Sequence, residues 1–162
     1  MREDATITES VLEALSRAST DGPSESYSLG ASDATDQRER ELDELLSQVD
    51  GALPTDELQF DEAIVKENVD EILLMLIALR EGAHGEQLIS DVARFFGTEL
   101  SPGTIYPSLH DLEEEDVLSM HAKVRTKEYS VADEEFVRSS LERSMIQHLA
   151  FGLLMYAYLS RY

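Results

Sequence analysis

Between residues 60 and 132, apolar residues recur at helical spacing in three successive segments and then at alternate positions in two short runs. Gly82 and Gly97 are typical helix ends, and Ser101 followed by Pro102 is typical of a helix start. The third helix should end near Asp116. The runs VLSMH and KEYSV, joined by AKVRT, predict a hairpin with a short polar tip. Helix, helix, helix and hairpin is the order of a winged helix-turn-helix domain, over residues 60–132.

The apolar positions of these helices predict the core. The first segment, beginning at Phe60, predicts one long helix that offers Val69, Ile72, Leu73, Leu76, Ile77 and Leu79 for burial. The second, from about Glu86 to Phe96, offers Leu88, Ile89, Val92, Phe95 and Phe96. The third faces the core with Ile105, Leu109 and Leu112. The fold class is therefore mainly α with a small β-hairpin.

Residues 1–59 differ in composition, with 15 acidic and four basic side chains. Ile7, Val11, Leu12 and Leu15 predict a short amphipathic helix, and a Ser- and Gly-rich linker follows between Ser19 and Thr35. A second amphipathic pattern, from Asp36 to Asp50, carries Leu42, Leu45, Leu46 and Val49 on one face. We expect an acidic, partly disordered extension that offers a surface to a protein partner.

Residues 133–162 predict one long helix without proline. After Met145 its apolar residues spread over more than one face, which a small domain cannot cover alone. Pairing with the same helix of a second copy would bury them, and the predicted homodimer interface is Met145, Leu149, Leu153 and Tyr156. The alternative is that the helix folds back onto the first long helix and completes a monomeric core.

The chain has 34 acidic and 13 basic side chains, a formal net charge of -21. Such a surface repels itself in ordinary cytoplasm but is tolerated at molar salt, where the Debye length falls to about 3 Å. The charge therefore favours a salt-adapted organism. The alternative is an ordinary protein with an acidic tail.

Several classes of site lack support in the sequence. There is no cysteine, and the four histidines lack metal-ligand spacing. The run Glu113, Glu114 and Glu115 is typical of a solvated helix end, and no cofactor or nucleophile motif occurs. We expect no enzyme activity, no metal and no cofactor. Without a signal-like or membrane-spanning run, we also expect a soluble, cytoplasmic protein with no membrane contact.

Two features favour contact with nucleic acid. The solvent side of the third helix begins with the uncharged residues Ser101, Thr104, Tyr106 and Pro107, where helix N–H groups and hydroxyls suit phosphates and base edges. The hairpin holds three cations within five residues, Lys123, Arg125 and Lys127; on an extended strand they would project to one side. The alternatives are that Ser101 only caps the helix, that Tyr106 belongs to the core rim, and that the cations pair with Glu128 or the acidic tail.

The segment LSPGTIYPSLHDLEEEDVL, residues 100–118, closely resembles the PadR family of winged-helix transcription regulators, whose pattern is L-S-P-G-T-L-Y-P-x-L-x-x-L-E-x-x-G-L. His84-Gly85 with Leu88 is similar to that family's entry to the second helix, and Glu128 to Val131 to its second wing strand. The resemblance covers about residues 69–132. Residues 1–59 lie outside it.

The resemblance implies that the third helix enters the major groove of double-stranded DNA and that the C-terminal helix dimerises. Ser101, Thr104, Tyr106 and Pro107 would face DNA, with His110 at a position often basic in the family. Asp116 replaces the usual turn glycine, and Asp can still adopt the left-handed conformation there at some cost. The leading hypothesis is therefore a homodimeric, sequence-specific DNA-binding regulator. The competing hypothesis is an acidic protein-protein adapter on a winged-helix core, favoured by nine acids against four bases in residues 84–131.

Overall fold

In the computed structural model, residues 31–53 and 58–162 are described. The chain divides into two compact units, Met1–Leu58 and Gln59–Tyr162. The helix predicted at Ile7 to Leu15 lies outside the described residues. Helix α1 spans Ala31–Ala52, so the predicted linker was wrong in its last residues, where Ala31 and Ala34 favour helix.

The long helix predicted from Phe60 is interrupted. The structure has α2 at Glu62–Glu67 and α3 at Val69–Arg80, separated by Asn68. The Asn68 backbone leaves the helical region at φ -112° and ψ 27°, and its side-chain Nδ2 donates to the carbonyl of Ile64 at 2.8 Å. The prediction of one continuous helix was wrong at this residue. Asn is a weak helix former, and its backbone dihedrals shift although its N–H still donates to the carbonyl of Ile64 and its carbonyl still accepts from the N–H of Ile72.

Helix α3 is the centre of the core of the second unit. Its buried apolar residues are Ile72, Leu73, Leu74, Leu76 and Ile77. Leu74 was not in the predicted set, and the predicted Val69 and Leu79 are only half-buried because they lie at the two ends of the helix. Helix α4, Gly85–Phe96, buries Leu88 and Val92, while Ile89, Phe95 and Phe96 are not fully buried. Helix α5, Pro102–Glu114, buries Ile105, Leu109 and Leu112, as predicted.

Left-handed residues end the helices at sharp turns. Glu81 follows α3 at φ 56°, and Gly97 follows α4 at φ 65°. Asp116 has φ 58°, which confirms the left-handed conformation expected where the family pattern has glycine. The turn at Asp116 lets the chain reverse from α5 into the hairpin.

The hairpin belongs to a three-stranded antiparallel sheet. Strands β2, Leu118–Ala122, and β3, Lys127–Val131, are joined by β1, Ala83–His84, in the order β1-β3-β2. The sequence did not predict β1, because two residues are too few for an alternating pattern. The sheet ties the chain between α3 and α4 to the hairpin.

Helix α6 spans Glu134–Leu159, and the Asp133 side chain accepts the backbone N–H of Phe136 at 2.9 Å as its N-cap. Only Val137 of this helix is buried in the single chain. Among the described residues, no helix has the length and apolar character needed to cross a bilayer.

A buried ion pair joins α3 to α4. The Nε and Nη2 atoms of Arg80 donate to the two carboxylate oxygens of Asp91 at 2.6 and 2.7 Å. Both side chains are less than a tenth exposed. Two parallel hydrogen bonds fix the orientation as well as the distance of the two helices.

Replacing Asp91 by alanine should lower the free energy of unfolding by about 3–5 kcal/mol, because the buried guanidinium of Arg80 would lose two charge-assisted hydrogen bonds and the carboxylate that they join it to. Denaturant unfolding measures this loss. The control is Glu142→Ala, which breaks the exposed pair with Arg138 and should have a much smaller effect. Equal losses in the two variants would contradict the assigned role of the buried pair.

Candidate nucleic-acid interface

The start of α5 is an exposed surface without charged side chains. Ser101 is the N-cap residue and Pro102 is the first helical residue, as predicted. The Ser101 hydroxyl caps no backbone N–H; its Oγ lies 3.2 Å from Oγ1 of Thr104 in a mutual hydrogen bond. Pro107 is inside the helix and exposed, and it cannot donate to the carbonyl of Gly103. The surface thus offers hydroxyls and backbone groups.

Tyr106 has a packing role as well as an exposed edge. Its side chain is 38% exposed, and a Cβ atom at position 85 would lie 2.5 to 2.6 Å from Cε1, Cζ and the hydroxyl oxygen of its ring. Only glycine at 85 admits this contact, which joins the start of α4 to the exposed side of α5. The alternative interpretation, that Tyr106 belongs to the rim of the core, therefore applies to the part of its ring that packs at Gly85.

His110 lies on the acidic half of α5. Its Nδ1 is 3.7 Å from the carboxylate of Glu113, and its Nε2 is 3.4 Å from that of Glu114. These carboxylates lie beside the ring, so they oppose the approach of a phosphate. Among the predicted contacts on α5, His110 has the least favourable surroundings for an anion.

The wing cations do not alternate on a strand as predicted. Strand β2 ends at Ala122 and β3 begins at Lys127, so Lys123 and Arg125 lie in the connecting turn. The backbone N–H of Lys123 donates to the carbonyl of Thr126 at 2.7 Å and closes the turn. Val124 is fully exposed at the tip, next to Arg125. The prediction that these cations lie on one extended strand was wrong, because the chain bends at Val124 and Arg125, between Lys123 and Lys127.

Lys123 is ion-paired within the wing. Its Nζ donates to Oε2 of Glu128, and both side chains remain partly exposed, at 58% and 36%. This pairing is the one considered as an alternative to DNA contact. Within residues 31–53 and 58–162, neither Arg125 nor Lys127 forms an ion pair. The three cations are therefore not equivalent.

Glu128 is flanked by histidines on the neighbouring strands of the sheet. It pairs in register with His84 on β1 and with His121 on β2. The hydrogen bond from Lys123 lowers the pKa of the Glu128 carboxyl, and the nearby histidines add to that effect. His84 is also the N-cap of α4, where its Nδ1 accepts the backbone N–H of Gln87 at 3.2 Å. Across the described part of the chain, no three His, Asp or Glu side chains are grouped as a metal site.

Two of these contacts had a signal in the sequence. Asp91 falls on the buried face of α4, three residues after Leu88, where an unpaired acid would be costly. Glu128 follows a group of cations. The contact between Gly85 and Tyr106 had no comparable signal, because it depends on how closely two helices cross.

The three helices α3 to α5 with the sheet form a winged helix-turn-helix domain, the class of fold expected from the sequence. The sequence profile of the Transcriptional regulator PadR-like family matches residues 73–134. The chain belongs to the PadR-like family of transcriptional regulators, and it is a regulator rather than an enzyme.

Named relatives are similar over most of the chain. It is 40% identical over 156 residues to the transcriptional activator GvpE1 of Halobacterium salinarum, covering 89% of this chain and 82% of that protein. It is 39% identical over 116 residues to the transcriptional activator GvpE of Haloferax mediterranei, covering 71% and 60% respectively. A solved transcriptional regulator from Clostridium thermocellum aligns with a TM-score of 0.47 and 14% identity, over 57% of this chain and 94% of that one.

Proposed function

We propose that this regulator binds double-stranded DNA as a homodimer, with α5 in the major groove and the wing beside it. The observation that carries the proposal is the uncharged start of α5, in a chain whose formal net charge is -21. On this surface a phosphate backbone would meet no carboxylate of the first helical turn. A cytoplasmic location follows from this role.

The α5 residues would contribute in different ways. Ser101 and Thr104 present hydroxyls that either donate or accept, so they suit phosphates and base edges alike. Pro107 gives an apolar contact, and the exposed edge of Tyr106 adds a hydroxyl while its ring positions α5 on α4. His110 would contact DNA only at the end of the footprint, since Glu113 and Glu114 lie beside it.

The wing would supply the local attraction. Arg125 and Lys127 are exposed and can each pair with a backbone phosphate or reach a minor groove. Lys123 would join them only after leaving Glu128. Because the wing has few free cations, its binding would release few counterions from DNA. Shape and hydrogen bonds at the interface must therefore provide much of the affinity.

The competing function, a protein-protein adapter without DNA recognition, is favoured by a specific feature. The C-terminal half of α5 and the turn after it carry acids at 111, 113, 114, 115 and 116.

Helix α1 adds an acidic surface beside the exposed Leu45 and Val49, which suits a partner with an apolar, basic-rimmed groove. We propose a protein partner at this extension in addition to DNA.

The relatives named above are called transcriptional activators. We therefore propose that this regulator activates transcription. The salt adaptation predicted from the acidity of the chain would help this function, because screening at high salt removes long-range repulsion from DNA.

The wing is tested by the double substitution Arg125→Glu and Lys127→Glu. We expect weaker duplex binding, and a plot of log affinity against log salt that is shallower by about 0.9 for each phosphate that the variant no longer neutralises. Gel shifts over a range of salt measure both. The control, Lys66→Glu with Arg138→Glu, makes the same charge change outside the wing and should retain the wild-type slope. Identical affinities for the wing variant and the wild type would exclude the wing from the interface.

Dimerisation is proposed through α6, because most of its apolar side chains are exposed in the single chain. The predicted interface residues Met145, Leu149 and Leu153 are 48%, 37% and 51% exposed, and Tyr156 is half-buried. Residues three or four apart share a helix face, so these side chains form one continuous stripe. The alternative, a fold-back onto α3, would require this stripe to be covered within the chain.

Leu149→Asp with Leu153→Asp should convert a dimer to a monomer, because two carboxylates would have to be buried in the interface. Light scattering measures the mass, and circular dichroism confirms that the helices remain. The control is Phe151→Asp with Met155→Asp, two exposed residues about 200° around the same helix. We expect the control to stay dimeric; an unchanged dimer in the first variant would rule out this stripe.

A further inference from the structure

We propose that Glu128 limits the affinity of the wing for DNA by competing with phosphate for Lys123. The inference rests on the DNA-binding function proposed above. From the sequence alone, Glu128 was only an alternative partner for the wing cations. Glu128 acts through Lys123 and is therefore a positioning residue, not a DNA contact.

The position of Glu128 supports this role. It lies on β3, the central strand, one residue after the start of the strand, while Lys123 begins the turn that precedes it. The closed turn, with the Lys123 N–H on the carbonyl of Thr126, brings the two side chains together. A Cβ atom at Gly82 would lie 3.3 Å from Oε1 of Glu128, so the carboxylate rests against the chain between α3 and β1.

The charges around Glu128 favour its ionised form. Lys123 donates to it, His84 and His121 flank it across the sheet, and its pKa is lowered. A carboxylate that stays ionised is a constant competitor for the lysine ammonium. To use Lys123, a DNA phosphate must replace this partner, so the free wing offers two cations rather than three.

The effect of the pair on affinity should be modest, because both side chains are exposed and such pairs are weak. Its effect on salt dependence should be clearer. Each additional lysine that neutralises a phosphate releases further counterions from DNA. Freeing Lys123 should therefore steepen the slope of log affinity against log salt by about 0.9.

The test compares full-length variants on one labelled DNA duplex of mixed sequence, by fluorescence anisotropy over a range of salt. Glu128→Gln should bind about two- to fivefold more tightly at low salt, with the steeper slope. Glu135→Gln removes the same charge from an exposed residue on the first turn of α6 and should keep the wild-type slope. Thermal melts of both variants confirm that each is folded.

The double variant Lys123→Gln with Glu128→Gln separates competition from simple loss of repulsion. If Glu128 acts through Lys123, the double variant loses the added slope, whereas Lys123→Gln alone changes the wild type little. A Glu128→Gln slope equal to that of the wild type, or a steeper slope that survives in the double variant, would overturn the inference. A wild type that binds the duplex while Glu128→Gln behaves identically leaves DNA binding intact. A wild type that binds no duplex at any salt overturns both.

Discussion

The two-point ion pair between Arg80 and Asp91 fixes how α4 crosses α3. Because the pair is buried, breaking its two hydrogen bonds would be costly, and this cost enforces its geometry. At the start of α4, the absence of a side chain at Gly85 leaves room for the ring of Tyr106, which packs α5 against α4. The Arg80–Asp91 pair therefore orients α4 on α3, and the contact of Tyr106 with Gly85 joins the start of α4 to α5.

Electrostatics then limits what this surface can do. The chain as a whole is strongly acidic, the second half of α5 is acidic, and one of the three wing cations is paired with Glu128. Long-range attraction to DNA is therefore small for a regulator of this size. The proposed interface depends instead on hydroxyls, backbone groups and an exposed arginine and lysine, which act at hydrogen-bonding distance. High salt would weaken the repulsion more than it weakens these contacts.

The sequence predicted the elements better than the contacts. Helices α4 to α6, both hairpin strands and the helix start at Ser101 follow from local chemistry, since each depends on residues close in sequence. The left-handed Asp116 was expected from the family resemblance. The break at Asn68 was missed because a single weak helix former does not interrupt the apolar pattern on which the prediction was based. The strand at Ala83 was missed because it exists only through pairing with Tyr129 and Glu128, far away in the chain. The residues of the proposed DNA interface remain a prediction; the sequence showed neither the pairing of Lys123 nor the packing of Tyr106, because both depend on tertiary structure.

Selection of bound fragments from a random duplex library by the wild-type protein, repeated from low to molar salt, tests the proposed DNA recognition most directly. We expect enrichment of a two-fold symmetric sequence, with half-sites about 10 base pairs apart or a multiple of that spacing, and enrichment that persists at high salt. Recovery of fragments without a shared sequence at every salt concentration would contradict sequence-specific binding and would favour the adapter function.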